Sequence, residues 1–212
     1  MYLKEEMNNY LIDLLPDKEA WIEEMEAEAL TDRVPIMDKV SMHFVTQLIR
    51  MYQPKRILEV GTAIGYSALR MLQANPETSI ITIERDEKRY KQAVENIHQQ
   101  GKEDNISVIL GDALEEIAKL DGMFDLVFID AAKGQYKRFF ELSKPLLSSS
   151  GVILSDNVLF KGYVAEPEKA TGRHIKMVEK IRDYNKWLMQ HPNFSTSIVP
   201  IGDGVAISVR KP

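Results

Sequence analysis

The chain has 212 residues, no cysteine and a formal net charge of −5, a size that suits one α/β domain able to bury a core without disulfides or thiolate-bound metal. No apolar run approaches the ~18 residues of a membrane helix and nothing resembles a signal peptide, so a cytoplasmic protein with no membrane partner is expected. The charge is uneven: residues 1–32 carry 10 acidic groups against Lys4 and Lys18, net −8, and the other 25 basic and 22 acidic groups leave residues 33–212 at net +3, which does not exclude a polyanionic partner.

Leu3, Met7, Tyr10, Leu11 and Leu14 fall at helical spacing before Pro16, and Asp17 is placed to cap a second helix carrying Trp21, Ile22, Met25 and Leu30. Glu19, Glu23, Glu24, Glu26 and Glu28 read as the solvated face of that helix and not as a metal site. Arg33-Val34-Pro35-Ile36 breaks the period. A third helix is predicted from about Asp38 to Tyr52, burying Val40, Phe44, Val45, Leu48 and Ile49. Residues 1–53 are expected to cap a site or to form an interface.

From Pro54 a βα alternation sets the fold class. Strands are predicted at Arg56 to Val60, Ile80 to Ile83, Ile106 to Leu110 and Leu126 to Ile129, with helices from Tyr66, from Glu87 to Gln100, after Gly111-Asp112, and near Tyr136 to Leu147. Ser148-Ser149-Ser150-Gly151 then turns the chain into a strand from Val152 that ends at Asp156, and a helix follows from about His174 to Gln190. Ser195 to Ile201 and Val205 to Arg210 flank Gly202-Asp203-Gly204 and read as a β-hairpin. The sum is an α/β, Rossmann-like seven-stranded sheet, mostly parallel with an antiparallel C-terminal hairpin, and with helices on both faces.

Two of these strands stop on side-chain oxygens: Leu126-Val127-Phe128-Ile129-Asp130 and Val152-Ile153-Leu154-Ser155-Asp156-Asn157. A buried run that ends on acids reads as a parallel strand delivering them to the sheet's C-terminal edge, where ligands bind in open α/β sheets. As neighbours about 4.8 Å apart, the two strands bring Asp130, Asp156 and Asn157 within reach of one hard cation. A lone strand-end Asp is more often a cap or turn residue, and it is the three together that favour a ligand set. The four histidines show no ligand spacing, and no G-x-S-x-G elbow is present.

The turn after the first strand, Glu59-Val60-Gly61-Thr62-Ala63-Ile64-Gly65-Tyr66-Ser67, offers G-x-x-x-G in place of the dinucleotide pattern, which argues against a pyrophosphate. Glu84 ends the next strand, 23 residues after Gly61, where its oxygens can accept from a ribose diol. Together these point to an adenosine-type ligand without phosphates.

ILEVGTAIGYSA, ITIERD, GDA, FIDAAK and SDN, in this order and spacing, resemble the class I S-adenosylmethionine-dependent O-methyltransferases of the catechol and caffeoyl-CoA type, along nearly the whole chain. The N-terminal helices and R-V-P-I-M-D, which opens at Arg33, are similar to the bacterial branch that methylates 5-hydroxyuridine at the tRNA wobble position. The resemblance implies a single methyltransferase domain over residues 1–212 with S-adenosyl-L-methionine and Mg²⁺ or Mn²⁺ as cofactors. It places the ribose on Glu84, the adenine edge on Asp112 and Ala113, and the methionine part on Ser67 and the turn from Glu59 through Gly61, with Met37 as cover. It makes Asp130, Asp156 and Asn157 the metal ligands, sets Asp130 near the cofactor's amino group and makes Lys133 the general base. The sequence departs from the animal catechol enzymes at Ala131-Ala132, and no aromatic residue follows the lysine until Tyr136.

Residues 158–172 form a connection long enough to be a lid. Lys169, Arg173 and Lys176 are either a phosphate-tracking stripe or a solvated face, while Arg33 and Phe160 are further candidate substrate contacts. The acceptor is then a tRNA 5-hydroxyuridine or a small catechol or hydroxycinnamoyl compound, and the other class of function is a non-catalytic adenosine-binding module. The apolar N-terminal helices suggest a homodimer.

Overall fold

The apolar runs become strands β1 (Arg56–Val60), β2 (Ser79–Glu84), β3 (Ile106–Leu110), β4 (Phe124–Ile129), β5 (Leu147–Ser155), β6 (Phe194–Val199) and β7 (Val205–Arg210). The structure is a computed structural model that describes residues 5–172 and 174–212, so Leu3 and Arg173 lie outside the described residues. The helices are α1 (Glu5–Asp13), α2 (Ala20–Thr31), α3 (Lys39–Tyr52), α4 (Tyr66–Ala74), α5 (Glu87–Gln99), α6 (Ala113–Glu116), α7 (Tyr136–Ser143) and α8 (His174–Met189).

The strands form one sheet in the order β3-β2-β1-β4-β5-β7-β6. β1 to β5 run parallel, and β7 is antiparallel to both β5 and β6. The strand order reverses between β1 and β4, which opens a crevice at their C-terminal ends. One sheet face packs Ile57, Leu126, Phe128 and Leu154 under α2 to α5. The other packs Leu58, Val60, Val127, Ile129 and Ile153 under α6 to α8. Strands covered on both sides are largely apolar, and each buried apolar side chain contributes roughly 1.5–3 kcal/mol.

Several local expectations are corrected. Asp17 does not cap α2; Glu19 occupies that position with extended backbone and no side-chain bond to the helix's own amides. Leu30 is 82 % exposed and Ala29 takes its place beside Ile22 and Met25, because positions 22, 25 and 29 share a helical face and position 30 is turned away from it. Met7 and Tyr10 of α1 and Leu14 just after it stay exposed. Three glutamates read as solvated are drawn into contacts. Glu26 holds Lys18 at 2.6 Å and Lys39 at 2.9 Å and accepts from the Tyr66 hydroxyl at 2.9 Å, Glu19 accepts from Gln73, and Glu28 accepts from Gln92.

The helix expected to run to Leu147 ends at Ser143, with a tight turn over Lys144–Leu146, because Pro145 has no N–H to continue it. Strand β5 begins at Leu147, before the serines. The pairs Phe124↔Leu147 and Leu126↔Val152 leave residues 148–151 bulging opposite Asp125 alone. The hairpin strand stops at Val199 and not at Ile201, where Pro200 removes a ladder donor. Among the described residues no helix is long and apolar enough to cross a membrane.

Candidate active site

The C-terminal ends of β1, β2, β4 and β5 surround a cavity of about 350 Å³. Continuing ladder bonds fix its floor: Gly61 N–H donates to Ile83 O at 3.1 Å, Asp130 N–H to Val60 O at 3.0 Å and Asp156 N–H to Ile129 O at 3.0 Å. Gly61 has φ +103°, and a Cβ there would collide with the Asp130 carbonyl. The chain can cross from β1 to α4 along this path only with glycine.

At one end of the cavity, Glu84 is held by three backbone donors. Its Oε1 accepts from Arg85 N–H at 3.0 Å and Asp86 N–H at 2.9 Å, and its Oε2 accepts from Ala63 N–H at 2.9 Å. Two lone pairs per oxygen leave capacity for a diol. Asp112 caps α6 through Leu114 N–H at 2.8 Å, and it lines the cavity beside Ala113. Gly61 and Ser67 complete this wall. Met37, 4 % exposed, covers it together with Pro35 and Ile36 from the α2–α3 connection.

Glu59, expected among the cofactor contacts, does not line the cavity. It is fully buried behind the wall, where Ser67 Oγ donates to its Oε1 at 2.5 Å and Thr82 Oγ1 to its Oε2 at 2.6 Å. Burial raises its carboxyl to about 8, against these two hydrogen bonds and with help from the charges of Asp130 and Glu84. The group therefore keeps its proton at neutral pH and orients Ser67.

The other end brings together Asp130, Asp156, Asn157 and Lys133. Asn157 Nδ2 donates to Asp156 Oδ2 at 2.8 Å, and Lys133 Nζ donates to Asn157 Oδ1. Asp156 Oδ1 is buried with no hydrogen-bond partner. Burial holds the Asp156 carboxyl well above its ordinary range, and the charge of Asp130 adds to this; burial also raises Asp130, against the nearby Lys133 ammonium. Among the described residues no group of three or more His, Cys, Asp and Glu is placed to hold a metal; the set here is two carboxylates and an amide.

Of the substrate candidates among the described residues, Arg33, Phe160, Lys169 and Lys176 do not line the cavity. Phe160 is 8 % exposed and packs edge-on against Tyr163 and His174, over Ala170, Val178 and Ile181. Its ring belongs to the small core beneath the loop, which leaves little of it open to stack on a base. Lys169 pairs with Glu166 at 2.7 Å, while Lys176 and Arg33 are exposed. Sequence reasoning missed Arg85, Arg89, Tyr66 and Phe139, which line the cavity. Arg89 had a readable signal: it lies in the first turn of α5, and helical side chains lean toward the N-terminus, here the sheet edge.

The family model for O-methyltransferases matches residues 16–211. The caffeoyl-CoA O-methyltransferase of Populus kitakamiensis is 35 % identical over 175 residues, covering 79 % of this chain and 74 % of that protein. A crystal structure from Staphylococcus aureus, provisionally identified as a caffeoyl-CoA O-methyltransferase, is 39 % identical, superposes with a TM-score of 0.92 and covers 98 % of this chain and 100 % of its own. The SAH-bound methyltransferase of Podospora anserina is 26 % identical with a TM-score of 0.90, covering 100 % and 98 %.

Proposed function

The chain belongs to the O-methyltransferase family, and we propose that it transfers the methyl group of S-adenosylmethionine to one hydroxyl of a vicinal oxygen pair, assisted by Mg²⁺ or Mn²⁺. The observation that carries this reading is the unpartnered, buried Asp156 Oδ1 beside Asp130 and Asn157 at one end of the cavity. A buried acceptor without a donor is costly, and hard oxygen donors suit such an ion. Asp130, Asp156 and Asn157 would hold it, and the bound ion supplies charge that lowers the proton affinity of a chelated hydroxyl.

The methyl donor supplies an electrophilic carbon. Glu84, Asp112 and Ala113 hold its adenosine, Ser67 and the Gly61 backbone hold its methionine part, and Met37 keeps water from that wall. Lys133 accepts the proton of the attacking hydroxyl, which must approach in line to about 3 Å.

The acceptor we favour is 5-hydroxyuridine at the tRNA wobble position, giving 5-methoxyuridine, on the strength of the N-terminal helices and the R-V-P-I-M-D segment that supplies Met37. The second reading, a small catechol or hydroxycinnamoyl compound, is favoured by the Populus relative. Mass spectrometry of nucleosides from hydroxylated and unmodified tRNA, alongside a catechol panel, separates them; methylation of catechols alone removes the tRNA reading. Transfer to tRNA should also weaken steeply with salt. Undiminished turnover of Lys133→Ala at neutral pH would remove the lysine from the role of base. We further propose that residues 1–212 act as one methyltransferase domain in a homodimer seated on the exposed Met7 and Tyr10 of α1 and on Leu14 just after it. A monomer in sedimentation at micromolar concentration refutes the dimer.

A further inference from the structure

The connection between β6 and β7, residues 200–204, lies outside the cavity and contacts the residues that directly follow two of its lining residues, Asn157 and Met37. On one side it holds the segment that follows β5. Val158 N–H donates to Gly204 O at 3.0 Å, Leu159 and Phe160 N–H donate to Asp203 O at 2.7 and 3.1 Å, and Lys161 N–H donates to Asp203 Oδ1 at 3.0 Å. Four successive amides thus end on two residues of a distant hairpin. The segment depends on them, because Asn157, Phe160 and Lys161 have φ of 55°, 31° and 55°, followed by Gly162 at 75°. Non-glycine residues persist in this region only where their surroundings dictate it, and such positions gather at functional sites.

On the other side the same tip abuts the start of α3. A Cβ at Gly202 would collide with Asp38 Oδ2 and Ser41 Oγ, and one at Gly204 with Leu159. Asp38 caps α3 through Val40 N–H at 3.1 Å and Ser41 N–H at 3.0 Å. It directly follows Met37, the cover of the cofactor end. The hairpin tip is therefore wedged between the loop that carries Asn157 and the segment that carries Met37.

We propose that Asp203 is a positioning residue for this site: its carbonyl and carboxylate hold residues 158–161 in the left-handed course that aims Asn157 toward Asp156 and seats Phe160 beneath the lid. The consequence for Asn157 as a ligand rests on the metal reading above, whereas the holding of the loop does not. Asp203→Ala removes the side-chain acceptor and leaves the backbone bonds. In Asp203→Asn the amide oxygen still accepts from Lys161 N–H.

The test compares both variants with the wild-type full chain by amide hydrogen exchange, by Mn²⁺ binding followed by electron paramagnetic resonance, and by calorimetry with S-adenosylhomocysteine. In Asp203→Ala, exchange of residues 158–161 is expected to rise about tenfold, as for loss of one hydrogen bond, with the central strands unchanged. Mn²⁺ binding should weaken about tenfold while the S-adenosylhomocysteine Kd stays within about twofold. Asp203→Asn should restore both readouts, which a general loss of structure or of charge does not do. Unchanged exchange at 158–161 in Asp203→Ala, or equal damage in Asp203→Asn, overturns the proposal. Should Asp203→Ala not fold, Gly204→Ala, whose methyl presses on Leu159, must raise exchange in the same segment, and failure to do so overturns it. Absence of Mn²⁺ binding in the wild type removes the metal reading and leaves the exchange data to decide.

Discussion

Replacing Glu59 with Gln tests the proton on the buried carboxyl. The side chain is fully buried and its carboxyl is raised from 4.5 to about 8, mainly by burial. Between those values the folded chain keeps a proton that the unfolded chain has lost, so stability falls as pH rises through this window. The contribution is fully present below 4.5 and is lost as pH passes about 8. At about 1.4 kcal/mol per pH unit the interval amounts to on the order of 4–5 kcal/mol. The amide mimics the neutral acid, since its NH₂ can donate to one neighbouring hydroxyl while Thr62 and Thr82, 2.6 Å apart, exchange donor and acceptor roles. Urea unfolding of both proteins at pH 5, 6, 7, 8 and 9 is the assay. The stability of the wild type minus that of Glu59→Gln is expected to fall by about 1.4 kcal/mol per unit between pH 5 and 8 and then to level off. A difference that stays constant over that range refutes the reasoning, because it means that Glu59 does not hold its proton behind Ser67.

Gly61→Ala, which forces a methyl into the Asp130 carbonyl at φ +103°, is expected to cost on the order of 3 kcal/mol and to abolish S-adenosylhomocysteine binding; an unaltered melting temperature tells against the close approach of β1 and β4. In Glu84→Gln a donor faces backbone N–H groups, and calorimetry should show S-adenosylhomocysteine binding weakened roughly 10- to 100-fold; an unchanged Kd removes Glu84 from the ribose site. EDTA is expected to stop methyl transfer and added Mg²⁺ or Mn²⁺ to restore it, with Asp156→Asn lowering turnover by roughly 100-fold or more; full activity in EDTA rejects the metal.

Much of the site was legible because its signals are local. A central parallel strand is buried on both faces, so it reads as an apolar run, and the first polar residue after it marks the ligand edge. Glu84, Asp130, Asp156 and Asn157 were legible in this way, and all four line one cavity together with Asp112, which the family resemblance implied. Helix caps were less legible. Asp38, expected as the start of a helix, caps α3, whereas Asp17 does not cap α2, whose start is set by packing of Ile22 and Met25 and by the polar contacts of Glu19 and Glu26 with α4 and α3.

The sequence by itself determined the βα alternation, the closing hairpin, the glycine turn and the chemical type of the residues at the strand ends, since each depends on neighbours a few positions away. Only the tertiary structure decided that Glu59 lies behind the cavity wall, that residues 148–151 bulge from β5, that Phe160 is packed against Ala170, Val178 and Ile181 and that Asp203 reaches the loop of Asn157. Strand register and packing join residues tens of positions apart. A side chain's direction and partners at such a junction follow from the opposing chain, which local propensity does not specify.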